Sequence, residues 1–473
     1  MTTTAKSLLR RPLLLAAAAL AGAAGLRAQA DAERSVPAPS VPRASKPAAL
    51  TLFAFYGDAS GALAQDAAYL DGLAAAYADR GLRVVVLMRD ADEARTPVLR
   101  RAELVDDRGG QFAANLSPAG PDPRSRLVVA DAQRAALFRG APGCGVLDML
   151  ERELAGQGDS AYEAAAGRWR RQLADSFDEL AGGDTLGLLE PLARRSPRDG
   201  LLNGLLYLTY ATKANDRRAA RALRTRATRA MSAAPRALAV FADLAMRGDP
   251  LRAEVWEDLR PALERAAELA PDDASVQRAL LRARVAARDD RAAGRLAMQR
   301  RRSMTSTAHG CLDFATLLAR AETPMVYRDI AEEAVARAAT LGAEPRLLAA
   351  ARYVVRLRCG EDVSGASQVL ASYRAERGDY YRINSDAWRF LTQVGTMGRY
   401  DWFAAGLVEE LLGGSAALDY FELDTAALAM FLVGRVTEAV DYQRAALREG
   451  GREEAAYRDR LARYEAFAAP GPR

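Results

Sequence analysis

Histidine is almost absent from this chain, and cysteine and lysine are scarce. Among 473 residues there is one histidine, His309, and there are three cysteines, Cys144, Cys311 and Cys359. One histidine cannot build a His-rich zinc centre, and the cysteines lack the spacing of a metal site. No metal and no cofactor are therefore expected. A histidine-based triad has only His309 to draw on, in Thr307-Ala308-His309-Gly310-Cys311. Residues two apart do not face each other on a helix, so His309 and Cys311 make a poor nucleophile–base pair. Helix packing is the expectation for His309. The chain has no Gly-x-x-x-x-Gly-Lys phosphate loop and no Gly-x-Ser-x-Gly elbow. An odd cysteine count leaves at least one thiol unpaired within the chain.

Long apolar runs are missing too, except at the start. Lys6, Arg10 and Arg11 precede an uncharged Leu/Ala stretch from Pro12 to Leu26, and Ala28-Gln29-Ala30 follows. This is the order of a signal peptide, too short for a spanning helix. Cleavage after Ala30 and a periplasmic or secreted location are expected, with no integral membrane segment after cleavage. The first 30 residues hold four positive charges and no acid, so the formal charge of +5 falls to +1 without them. That balance does not suit nucleic-acid binding. The lysines are Lys6, Lys46 and Lys213, so arginine supplies nearly all the basic charge.

What is present is organised in two blocks. Residues 31–47 carry Pro37, Pro39, Pro42 and Pro47 and read as an extended linker. Residues 48–156 read as an α/β domain. Ala49 to Tyr56 is apolar on both alternations, as in a strand covered on both faces. Leu63, Ala67, Leu70, Leu73, Ala74 and Tyr77 follow at helical spacing, Gly81 stops that helix, and Leu82 to Met88 is a second strand. The stretch from Arg89 to Pro123 has weak periodicity. Arg126–Ala130 and Ala135–Arg139 predict a hairpin, and Gly145–Ala155 a closing helix. Residues 157–183 read as a connecting helix. From 184 to 466 the pattern is helix after helix, with Pro197, Pro235 and Pro271 at intervals of 38 and 36 residues. The fold class is thus α/β followed by all-α.

The segment from Thr51 to Met88, with Phe55-Tyr56-Gly57-Asp58 at its first strand end, resembles the start of an exported, redoxin-type thioredoxin-like domain. The resemblance implies a Cys-x-x-Cys pair at the turn into the first helix. Ser60 and Leu63 stand at those two positions. Neither can supply the thiolate or the leaving sulfur of disulfide exchange. Ser60 suits a helix cap. Pro123 is nearest to the place of the family's cis-proline. Residues 184–466 resemble tetratricopeptide repeats, whose period is about 34 residues. Ala427, Gly434, Ala439 and Ala446 fall at close-approach positions, and Phe431, Val436 and Leu447 at large apolar ones. The resemblance implies helix pairs supported by their neighbours and a long groove for a protein or peptide partner.

The functional expectation is an exported, non-catalytic interaction or scaffold protein with a redox-inactive thioredoxin-like domain. The alternative is a relative of the thiol-disulfide oxidoreductases that uses a single residual cysteine. Cys144 is the candidate, because a helix start lowers a thiol pKa. Arg300-Arg301-Arg302, the group Arg168, Arg170 and Arg171, Asp272-Asp273 and Glu332-Glu333 read as solvated charge, with an acidic partner as the sharper reading of the arginines.

Overall fold

The computed structural model describes residues 48–56, 61–89, 99–107, 127–133, 136–177, 182–248, 253–414, 418–450 and 454–468. The signal and linker readings, Ser60 and Pro123 lie outside these residues.

The first block is a five-stranded mixed sheet. Strand β1 (Leu50–Tyr56) is followed by helix α1 (Gly61–Tyr77) and parallel strand β2 (Leu82–Met88). Gly81, at φ 92°, takes the left-handed turn between them, a conformation that suits a residue without Cβ. Strand β3 (Glu103–Asp106) adds to the outer edge of β2, in parallel. Strands β4 (Leu127–Asp131) and β5 (Ala136–Gly140) form an antiparallel hairpin, with β4 antiparallel to β1. The sheet order is β3-β2-β1-β4-β5. Helix α2 (Val146–Leu154) closes the block.

The β1–α1–β2 order, the hairpin and the closing helix match the expectation, and β3 is added to it. Alternate residues of the central strands fill two cores. Leu52, Ala54, Val84 and Val86 face Leu70, Leu73 and Met149. Phe53, Phe55, Val85, Leu87 and Val128 form the opposite cluster. Burial of both faces explains why β1 and β2 are apolar on both alternations, with only Thr51 and Arg83 interrupting them.

Helix α3 (Ser160–Ser176) is more than a connector. It packs on β5, and its Arg170 lies over the Phe138 ring, 5.3 Å from the centroid. Helix α4 (Gly182–Arg195) then leads into a regular array: α5 (Gly200–Leu208), which continues as a π turn through Lys213, α6 (Arg217–Ala230), α7 (Pro235–Gly248), α8 (Ala253–Leu269), α9 (Ala274–Ala286), α10 (Asp290–Met304), α11 (Ala308–Leu318), α12 (Arg328–Thr340), α13 (Pro345–Arg358), α14 (Val363–Arg377), α15 (Tyr380–Thr392), α16 (Asp401–Gly414), α17 (Tyr420–Leu432), α18 (Val436–Glu449) and α19 (Glu454–Ala468).

The backbone records the repeat more plainly than the side chains do. Asn215, Arg288, Glu361 and Gly434 all have positive φ, and each lies 73 residues after the one before. Gly398, also at positive φ, falls midway in the last interval. Each of these residues turns the chain from the first helix of a pair into the second. An aspartate follows the first three: Asp216, Asp289 and Asp362 cap α6, α10 and α14 by accepting from the amides of Ala219, Ala292 and Gly365.

The array curls more tightly than a ladder of nearest neighbours. The turn between α15 and α16 reaches back to α7, and a Cβ on Gly398 would lie 2.8 Å from that of Arg247. Helix α19 packs on the π turn after α5 as well as on α18. The end of the array therefore has more support than its sequence neighbours provide.

Ala427, Ala439 and Ala446 are fully buried where α17 and α18 approach. Replacing Ala439 with Leu forces extra methyl groups into that contact and is expected to destabilise the protein by roughly 1–3 kcal/mol. Glu438 is exposed and pairs with Arg435 on the surface, so Glu438→Gln is expected to stay within about 0.5 kcal/mol. Urea unfolding of both variants checks the contrast, and equal midpoints would contradict it.

Candidate functional site

Of the two positions where the sequence places the degenerate redox pair, Leu63 on the first turn of α1 is described. Leu63 is fully buried. Gln65 donates through Nε2 to Thr307 Oγ1 at 3.0 Å and Ser306 Oγ at 3.2 Å, both at the start of α11. Asp66 accepts from Tyr56 Oη at 2.9 Å and pairs with Arg236 of α7. Arg236 also pairs with Asp273 at 2.6 Å. Asp273 is itself the cap of α9, accepting from the amides of Ser275 and Val276. All three members of this Asp–Arg–Asp chain are buried. Burial opposes the Arg236 charge, but Asp273 and Asp66 more than offset it and hold its pKa above the usual range.

The turn before α2 completes the seam. The Gly200 amide donates to the Gly143 carbonyl at 3.0 Å, and Cys144 forms a β-bridge with Asp199. Gly145 has φ 83°, and a Cβ there would meet Arg170 and Asp199. Asp199 receives Arg170 Nε at 2.6 Å and caps α5 through the Leu202 amide. Asp148 on α2 receives the Arg198 amide at 2.8 Å and its Nε at 2.7 Å. The sheet block thus covers the N-terminal ends of α5, α7, α9 and α11, with carboxylates placed where the helix dipoles favour them.

Cys144 sits inside this seam, 7% exposed. Burial, and then the nearby Asp199 charge, push its thiol up to about 12. This is opposite to the lowering expected of a helix start, because desolvation outweighs the dipole. Cys311 and Cys359 are also buried and unpaired, and burial pushes both thiols up to about 11.

A second cluster lies at the centre of the curl. Asp313 on α11 is within 3.0 Å of Arg399 Nε and 3.1 Å of Arg282 Nη2, with Arg278 at 3.6 Å and Arg247 at 3.7 Å. Asp243 binds Arg247 at 2.5 Å and Arg282 at 3.0 Å. Burial opposes the Asp313 charge, but the four guanidiniums hold its carboxyl far below the usual range. Burial and the neighbouring Arg247 push Arg399 down to about 10. His309 stays exposed, with Nε2 2.5 Å from Arg399 Nη1. The Arg399 guanidinium chiefly pushes the His309 pKa down to about 3, so His309 accepts from Arg399 as a neutral ring.

The solvated-charge expectation holds only in part. Arg168 and Arg302 are exposed, but Arg170 is buried in the seam. Arg300 reaches Asp272 at 3.3 Å, and Arg301 pairs with Glu333. Asp272 is exposed while its neighbour Asp273 is buried. Among the described residues no group of His, Cys, Asp and Glu side chains is placed to hold a metal ion, and no helix is long and apolar enough to cross a membrane. The sequence reading missed Arg236, Asp313 and Arg399, whose partners lie far away along the chain. The signal within reach was the glycine pair around Cys144, which marks a close backbone approach.

Set against known proteins, the chain matches no family model, no curated protein and no solved structure.

Proposed function

We propose that this chain is an exported, non-catalytic interaction protein. A thioredoxin-like domain without redox chemistry is fused into a tetratricopeptide-like array that binds a protein or peptide partner. The observation that carries this reading is the docked start of α1. A redox pair at that turn has to meet a substrate disulfide, and here the next turn of the helix is bonded to α7 and α11. The β2-β1-β4-β5 order with a helical crossover supports the thioredoxin-like part. The 73-residue recurrence of the turn supports the repeat part. The burial and raised pKa of Cys144 speak against the single-thiol alternative.

The partner surface proposed is the α6–α8 face. Helix α6 exposes Arg217, Arg218, Arg221, Arg226 and Arg229 and contains no acid. A cleft of 530 Å³ between α6 and α8 holds buried Arg224, which pairs with Asp258. Such a field attracts an acidic partner segment.

Two experiments test the proposal. In an insulin-reduction assay with dithiothreitol, the mature protein is expected to give no rate above background; a clear rate contradicts the non-catalytic reading. As bait in a periplasmic or secreted fraction, the mature protein is expected to retain a partner that Arg218→Glu/Arg221→Glu loses. Equal retention by both would reject α6 as the binding face.

A further inference from the structure

The opposite rim of the array, away from the sheet block, holds an opening of different character. It is a cleft of 470 Å³ at the C-terminal ends of α7, α9, α11 and α13, a size suited to a small organic molecule. Its apolar wall includes Met246, Val285 and Leu317. Arg282, Arg288, Arg320 and Arg358 line it against one acid, Glu322. Arg282 is committed to Asp243 and Asp313, and Arg320 gives one Nη to Asp401. Arg288 reaches Glu322 only at 3.6 Å. Arg358 has no carboxylate partner among the described residues; its guanidinium lies over the Trp402 ring, 4.9 Å from the centroid.

Three N–H groups on cleft-lining residues are buried without an acceptor among the described residues: Arg320 Nε, Arg358 Nε and Trp256 Nε1. Trp256 is 5% exposed. A buried donor left unmet costs about 1–3 kcal/mol, so three beside one cavity call for an acceptor-rich occupant. The helix ends there present carbonyls, which disfavour an anion. Attraction must therefore come from the side chains, and removing one should be felt strongly.

We propose that this cleft binds a small organic anion, with a carboxylate or phosphate group held by Arg358, Arg320 and the Trp256 indole N–H and an apolar body lying on Val285 and Leu317. The site shares α8 with the α6 face but uses the other side of that helix, Trp256 rather than Glu254 and Asp258, and does not depend on the partner reading.

The chain has four tryptophans, so its indole N–H resonances are few, and Trp256→Phe assigns the one in question. Phenyl phosphate and benzoate are titrated in turn, with benzyl alcohol as the neutral control. At least one anion is expected to move the Trp256 N–H signal with a dissociation constant of about 1 mM or tighter. The stronger of the two identifies the headgroup. Arg358→Gln should weaken that binding about tenfold or more, a change of about 1.4 kcal/mol, while Arg448→Gln at the exposed surface of α18 leaves it unchanged. Because Arg358 makes no ion pair among the described residues, its variant is expected to keep wild-type circular dichroism; if it does not, the wild-type titration alone decides. No movement with either anion, equal movement with benzyl alcohol, or equal weakening by Arg358→Gln and Arg448→Gln would each overturn the proposal.

Discussion

Replacing Arg236 with Ala is expected to destabilise the whole protein by about 3–5 kcal/mol, the range for removing one partner of a buried ion pair. The guanidinium is buried between Asp66 and Asp273. Without it, both carboxylates stay in the seam uncompensated. Adding Asp66→Asn removes one stranded charge and should recover part of the loss, whereas Asp273 cannot be neutralised as cleanly because it caps α9. A double-mutant cycle in urea isolates the coupling between Arg236 and Asp66. Independent, additive effects would mean that the seam does not depend on this pair.

Asp313→Asn is the second large effect. The substitution keeps the shape of the side chain and removes the charge that four arginines share. About 3–5 kcal/mol should be lost at neutral pH, with the turn at residues 396–400 loosening first because Arg399 is its link to α11. The pH dependence has a fixed sign. The Asp313 carboxyl is held far below its usual range in the fold, so its contribution is complete above the unfolded value of about 3.9 and is lost as pH falls below it. The gap between wild type and Asp313→Asn should therefore be widest near neutrality and narrow below about pH 4. A gap constant from pH 7 to pH 3 would contradict the assignment of the hub.

The elements that were legible are those whose burial repeats along the chain. β1 and β2 are covered on both faces and are apolar on both alternations apart from Thr51 and Arg83. Ala427 and Ala439 are small where two helices touch, and both are fully buried. β3 was not legible: it is an edge strand of alternating partial exposure, with Leu104 44% exposed, so it leaves no apolar run. The 73-residue period was hidden because Asn215, Arg288 and Glu361 occupy left-handed turns where glycine would have announced them. The capping aspartates after them are ordinary helix-start signals, whose spacing emerges only once the turns are aligned.

The site was the least legible part. Arg170 looks like solvated charge because nothing near it in sequence discloses Asp199, and Arg236 gives no hint of Asp66, 170 residues earlier. Repeat patterns likewise suggest an open inner groove. The turn at Gly398 instead packs against Arg247 of α7, a contact between segments that only the curl of the array brings together.

The central claim is that the sheet block and the helical array form one unit, docked through the start of α1 and the turn around Cys144. Cys144 reports on that seam directly, since it is buried there and its thiol is pushed up to about 12. Iodoacetamide labelling of the native protein at pH 7.5, mapped by mass spectrometry, is the most direct measurement. Cys144 is expected to react only as fast as the protein unfolds, and Arg236→Ala is expected to speed its labelling. Rapid labelling of Cys144 in the intact wild-type protein would contradict the docked seam and would favour a chain that uses a residual thiol.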